Sequence, residues 1–214
     1  MNELVVSTNQ EGLRIAVLED RRIVEMHHEK TNKLFSVGDI LLGRVKKIVP
    51  GLNAAFVEVG HPKDAFLHNL DLGPKVRTLQ KYVKSVQAGP KNIRPLGQVK
   101  MLPEIRKDGK MGQTLKSNQP ILVQVEKEAI STKGPRLTCE ISLPGQFLIL
   151  VPFSNDVSIS RKIRTSEEKK RLRKVVSSIR PQNFGVIVRT AAEGREAELL
   201  QQDLEELVRK WDQM

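Results

Sequence analysis

The feature that most constrains the fold is a series of short Val/Ile/Leu-rich runs, each closed by a turn signal, between residues 37 and 143. Ile40 to Val49 is the longest, with Arg44, Lys46 and Lys47 set among its apolar residues. Pro50-Gly51-Leu52-Asn53 then turns the chain, Ala54 to Val59 runs back, and Asp64 to His68 is short. After a long gap, Ile121 to Glu126 and Leu137 to Ser142 supply two more runs. Alternation of branched apolar and polar residues reads as strand, because successive side chains leave opposite faces of a pleated backbone. Several such strands in one stretch hide their edges most simply by closing on themselves, which predicts a small five-stranded β-barrel of the OB type.

The flanks read differently. Val5-Val6, Leu13 to Val17 and Arg22 to His27, with a tight turn at Glu19-Asp20, predict a short antiparallel meander over residues 3–28. Toward the C-terminus, Phe147 to Pro152 and Gly185 to Arg189 are continuous apolar runs suited to buried strands. Between them Thr165-Ser166-Glu167-Glu168 has capping-box spacing ahead of a basic helix to about Ser178. From Glu196 to Trp211 the residues Leu199, Leu200, Leu204, Leu207, Val208 and Trp211 recur at helical spacing and predict an amphipathic helix. The fold class expected is α+β: the OB-type barrel inserted into or packed beside an α/β subdomain with two C-terminal helices. The expected divisions are 1–36, 37–143 and 144–214.

Charge then narrows the partners. The 214 residues carry a formal net charge of +11, and residues 74–116 alone hold an excess of nine positive charges. These come from Lys75, Arg77, Lys81, Lys84, Lys91, Arg94, Lys100, Arg106, Lys107, Lys110 and Lys116, opposed by Glu104 and Asp108. Rich in Gly and Pro and without an evident period, the stretch at about 70–117 reads as an inserted loop or mobile arm whose natural partner is a polyanion. A merely solubilising insertion is the plain alternative. A single cysteine, Cys139, leaves neither a disulfide framework nor a CxxC metal signature, and no apolar run approaches membrane-spanning length. Both point to a cytoplasmic protein.

Several chemistries lack their motifs. The sequence has no phosphate loop ending in Lys-Ser/Thr, no GxGxxG and no GxSxG. Glu58, Asp64, Glu126, Glu128 and Glu140 fall at strand ends or turns, where solvated carboxylates are ordinary, and His27-His28 lacks metal-ligand spacing. Cys139, between Leu137 and Ile141, reads as a buried structural thiol. The catalytic and metal sets of this chain are therefore expected to be empty. Phe56 and Phe66, on strands beside Lys46, Lys47 and Lys63, are candidates for an aromatic platform on which bases stack while cations follow phosphates. A phenylalanine in a small barrel serves equally as core, and residue type leaves the two open. Arg189-Thr190 offers a bidentate guanidinium and a hydroxyl for a phosphate, or else a snorkelling arginine and a helix cap.

Five segments in order carry a resemblance: Gly51 to Gly60 (GLNAAFVEVG) with Lys63 to His68 (KDAFLH); Lys133-Gly134; Ile141 to Ile149 (ISLPGQFLI); Ile159 to Ile163 (ISRKI); and Gly185 to Ala191 (GVIVRTA). With the opening Leu13 to Val17 and the helix Asp203 to Trp211, they make the chain resemble the N-terminal region of the RNase E/G endoribonuclease family. That resemblance implies the opening part of an RNase H-like subdomain over 1–36, an OB-fold RNA-binding domain over 37–143, and a 5′-end sensor over 144–214. It implies RNA binding by Phe56, Phe66 and Lys133, and 5′-phosphate binding by Gly145, Ile149, Arg161, Arg189 and Thr190, with Phe147 and Phe153 left to the core. Family members continue into a catalytic subdomain with magnesium and a zinc-linked region, so the chain is expected to be an N-terminal piece, silent by itself. The implied partner is single-stranded RNA, preferably with a 5′ monophosphate, and a homo-oligomer of the longer protein is allowed. The alternatives are a stand-alone RNA-binding or RNA-chaperone module, or a basic scaffold docking on a ribonucleoprotein.

Overall fold

The structure, a computed structural model, describes residues 1–9, 12–30, 35–89 and 95–214. Pro90, Lys91 and Arg94 of the basic stretch lie outside them. The chain divides into two compact units, Met1–Ser36 and Val37–Met214.

The first unit is the expected meander, with β1 (Asn2–Asn9), β2 (Gly12–Glu19) and β3 (Arg22–Lys30) pairing antiparallel in sequence order. Asp20 and Arg21, at φ 47° and 64°, form the positive-φ turn that matches the twist of a two-residue hairpin.

The second unit is built on a closed barrel of β4 (Ile40–Val49), β5 (Ala54–Glu58), β6 (Ala65–His68), β7 (Pro120–Lys127) and β8 (Arg136–Thr138). The strands follow one another round the barrel as β4-β5-β6-β8-β7, with β6 and β8 parallel and β7 returning to β4. This is the OB-type closure that the strand pattern predicts. Val45, Ala55, Val57, Ala65, Leu67, Val123 and Leu137 fill the interior. The alanines keep so short a barrel from being overpacked.

The stretch at 70–117 departs from expectation. It is no loose arm: its described residues hold α1 (Val76–Gln87), a 3₁₀ turn at Leu96–Gln98 and the short α2 (Met111–Thr114). Val76, Leu79, Val83, Leu96, Met111 and Leu115 are buried, while Arg77, Lys81 and Lys84 face solvent. Polar ties hold the segment down. Asn53, in the left-handed conformation at φ 45°, donates to the Gly109 carbonyl (3.0 Å) and accepts from the Met111 amide (2.7 Å). Asn183 donates to the carbonyls of Leu96 (2.8 Å) and Val99 (2.9 Å).

Beyond the barrel the chain forms a four-stranded sheet in the order β11-β12-β10-β9, made of β9 (Leu143–Pro144), β10 (Leu148–Pro152), β11 (Val157–Ile159) and β12 (Phe184–Val188). The run Leu137 to Ser142 is therefore not one strand. β8 stops at Thr138 because the Cys139 amide turns to the Asp71 carbonyl (2.8 Å), and pairing resumes at Leu143 against β10. β11 and β12 are parallel, joined by α3 (Ser166–Ile179), and α4 (Ala197–Asp212) presents Leu200, Leu204, Leu207 and Trp211 to the core. Trp211 meets Phe153 edge-on at 5.6 Å and stacks on Tyr82 of α1 at 6.2 Å, tying the barrel's helix to the sheet. Thr165 stands at the N-cap of α3 but makes no capping bond. Glu168, its expected partner, instead binds Arg171 at 2.7 Å through both oxygens and accepts the Gly194 amide at 2.9 Å.

Candidate nucleic-acid interface

On β5 and β6 the period of two settles which residues point outward. Ala55, Val57, Ala65 and Leu67 are fully buried in the barrel, so Phe56 and Phe66 stand on its outer face, half-buried. They are direct cross-strand partners, their rings edge-to-face at 6.0 Å and 68°. His68, two residues on, stacks on Phe66 at 6.4 Å and 29°. Its Nδ1 accepts the Leu70 amide (3.2 Å), which fixes the ring's orientation.

Strand register extends this row with cations. A bulge at Lys46 shifts β4 by one residue, so Lys47 pairs with Phe56, and on the other side Phe66 pairs with Arg136, which in turn pairs with Lys127. The row thus reads Lys47, Phe56, Phe66, Arg136, Lys127 across five strands. The cations differ in freedom. Arg136 is held bidentate by Asp71 (2.9 and 3.0 Å) and also reaches Glu126 (2.9 Å), so its guanidinium is largely neutralised and its proton held more firmly than usual. Lys46, the bulged residue, pairs with Asp64 at 3.0 Å, a bond that raises the pKa of its ammonium. Lys47 and Lys127 remain exposed.

Lys133 lies on the neighbouring loop, exposed, in a tight turn closed by reciprocal backbone bonds with Ile130 (2.9 and 3.2 Å). Gly134 brings this turn against the barrel. A Cβ there would sit 2.1 Å from the Asp64 carbonyl oxygen, so only glycine lets the two backbones cross. Lys63 completes the junction by donating to the Ser131 carbonyl.

A second constellation forms at one end of the four-stranded sheet. Because β11 and β12 are parallel, their C-terminal ends adjoin, and the residues that follow them meet: Ser160 Oγ and Thr190 Oγ1 are 3.0 Å apart, and the Ser160 amide donates to the Val188 carbonyl (2.9 Å). Crevices at the carboxyl ends of parallel strands are where open α/β sheets receive ligands. β10 starts at the same end, Leu148 pairing with Val188, and this delivers the Gly145–Phe147 loop. There the Arg189 guanidinium donates to the Gly145 carbonyl, and the Arg189 amide to the Phe147 carbonyl (2.8 Å). Gly145, Arg189 and Thr190 are thus brought together. Arg161 follows Ser160 and is exposed; Ile149 sits one step inside β10, half-buried opposite Ile187. Phe147 and Phe153 are in the core.

The sequence reading missed His68, Ser160 and Asp203. The first was available from the period of two, whereas Ser160 and Asp203 are joined to the site by contacts 30 and more than 50 residues away. Elsewhere the chemistry is quiet. Cys139 is buried, which pushes its thiol pKa well up and leaves it a poor nucleophile. Asp64 is paired with Lys46 and Glu126 with Arg136, while Glu58 is exposed; among the described residues no three Asp, Glu, His or Cys converge as metal ligands. The described residues thus offer no such cluster for the magnesium or zinc that the resemblance implies for a longer protein. Among the described residues no helix is long and apolar enough to cross a membrane.

Residues 142–214, which contain this second constellation, match the Ribonuclease E/G family. Similarity to curated proteins runs through the barrel as well. The chain is 36% identical over 209 residues to Ribonuclease G of Haemophilus influenzae, covering 98% of this chain and 39% of that protein. It is 36% identical over 203 residues to Ribonuclease E of Nostoc sp., covering 92% of this chain and 25% of that protein. Ribonuclease G of Escherichia coli is 32% identical over 209 residues. The chain therefore spans well under half the length of the relatives it matches. These similarities, which run through nearly the whole chain, show that it belongs to the ribonuclease E/G family.

Proposed function

We propose that this chain is the RNA-binding and 5′-monophosphate-sensing part of an RNase E/G-type endoribonuclease that works in RNA processing and decay in the cytoplasm. The observation that carries this reading is the cross-strand row on the outer face of the barrel. Phe56 and Phe66, with His68 beside them, offer aromatic surface for bases to stack on, and the exposed Lys47, Lys127 and Lys133 offer cations for a strand's phosphates. The cluster of Arg189, Thr190 and Ser160, with the exposed Arg161 next to Ser160 in sequence, supplies guanidinium and hydroxyl donors for a terminal phosphate, with Gly145 and Ile149 beside the first nucleotide. A monophosphate offers these donors several acceptor oxygens where a hydroxyl offers one. Cleavage, with its magnesium, is assigned to a catalytic part of the full-length family member and not to residues 1–214.

The test is a set of short single-stranded RNAs differing only at the 5′ end, bound to the wild type and to Arg189→Ala and Thr190→Val. The wild type prefers the monophosphate, and Arg189→Ala abolishes the preference while leaving affinity for the hydroxyl end intact. Equal binding of both ends by the wild type, or a preference that survives Arg189→Ala, makes the Arg-Thr pair structural.

A further inference from the structure

We propose that Asp203 is the positioning residue of the 5′-phosphate pocket, its carboxylate holding the 145–148 loop so that the Gly145 carbonyl can anchor the Arg189 guanidinium. The inference rests on the sensor reading above and extends it to a residue on α4 that touches neither RNA nor Arg189.

Three consecutive amides converge on this one side chain. Gln146 donates to Oδ1 at 3.0 Å, and Phe147 and Leu148 both donate to Oδ2 at 2.8 Å. Successive N–H groups curled around one anion form a nest, and their bonds to a carboxylate are charge-assisted. Such a loop could itself receive a phosphate, but here it is filled by a carboxylate of the protein's own. The phosphate is left to the side chains across from it, and the loop becomes part of the pocket's frame.

Gly145 fits this role. A Cβ at 145 would lie 2.5 and 2.7 Å from the two Asp203 oxygens, so the missing side chain makes room for the carboxylate. The Gly145 amide closes the loop onto the Leu148 carbonyl (2.8 Å), and its own carbonyl accepts from Arg189 Nη1. Arg189 is tied to the same loop a second time, through its amide to the Phe147 carbonyl. One of the five guanidinium N–H donors is engaged by Gly145, and among the described residues no further hydrogen bond takes the others, which leaves them to a phosphoryl group. Without Asp203 the three amides lose their acceptor, the loop relaxes, and Arg189 loses the carbonyl that aims it.

The experiment compares two RNAs, identical except for a 5′ monophosphate or hydroxyl, on the wild type, Asp203→Ala, Asp203→Asn, Gly145→Ala and the Asp203→Ala/Gly145→Ala double variant, with thermal unfolding followed in parallel. A preference of about tenfold in the wild type corresponds to one charge-assisted contact. It should fall to about twofold or less in Asp203→Ala and Gly145→Ala, with hydroxyl-end affinity, carried by the barrel, unchanged in Asp203→Ala. Gly145→Ala should add nothing to Asp203→Ala, because the carboxylate it displaces is already gone. Asp203→Asn keeps one acceptor oxygen and should fall between, and it carries the test if the alanine variant does not fold. Folded Asp203 variants with the full preference overturn the proposal and leave the sensor reading standing. So do additive effects in the double variant, which would mean that Gly145 meets the nucleotide directly. A wild type without preference overturns both.

Discussion

Individual residues in the barrel were partly legible because the period of two assigns faces. With Ala55, Val57, Ala65 and Leu67 inward, Phe56 and Phe66 must stand outward, yet the sequence by itself could not say that Lys47 would share their row. That depends on the bulge at Lys46, which no local pattern announces. Replacing Phe56 or Phe66 by Ala should weaken single-strand binding by about 1–3 kcal/mol. The salt slope should not change, since no phosphate contact is removed; Lys47→Ala should lower that slope by about 0.7 instead. Titrations over a series of salt concentrations separate the two. Gly134→Ala should destabilise the second unit by about 1–3 kcal/mol in chemical denaturation, because its methyl group would overlap the Asp64 backbone.

At the scale of elements, strands with strong alternation were readable to within a residue or two, and α4 announced itself through its leucines. α1 did not. Its buried residues, Val76, Leu79 and Val83, are few in a segment crowded with cations, glycines and prolines, and what holds it is burial against residues distant in sequence. Leu79→Ala should cost about 2–5 kcal/mol of stability, where a loose arm would lose almost nothing. The start of α3 was legible, but its capping bonds were misread for a related reason. Glu168 has the right spacing for a capping box, but Arg171 and the Gly194 amide bind it and hold its carboxyl down to about pKa 2. A lowered carboxyl stabilises the fold fully above its ordinary value near 4.5, and the contribution is lost as pH falls toward 2. The stability gap between wild type and Glu168→Gln should therefore be constant above about pH 5 and shrink in acid, as denaturation at several pH values would read.

For the whole molecule, the basic excess makes a polyanion the partner to test, without saying where it would lie. Much of that charge sits on exposed positions of a segment that is folded in its described parts, while the aromatic row and the cluster at the sheet end carry fewer cations in more specific surroundings. Both belong to one compact unit, Val37–Met214. The most direct test is photo-crosslinking of the wild type to a 5′-phosphorylated single-stranded RNA carrying one photoreactive base, placed either at the first nucleotide or in the interior, with the attached peptides identified by mass spectrometry. The account predicts that the first nucleotide marks residues 145–149 and 187–190 and that interior bases mark Phe56, Phe66 and His68. Crosslinks gathered instead on Met1–Ser36 or on α1, with the barrel row unmarked, would contradict it.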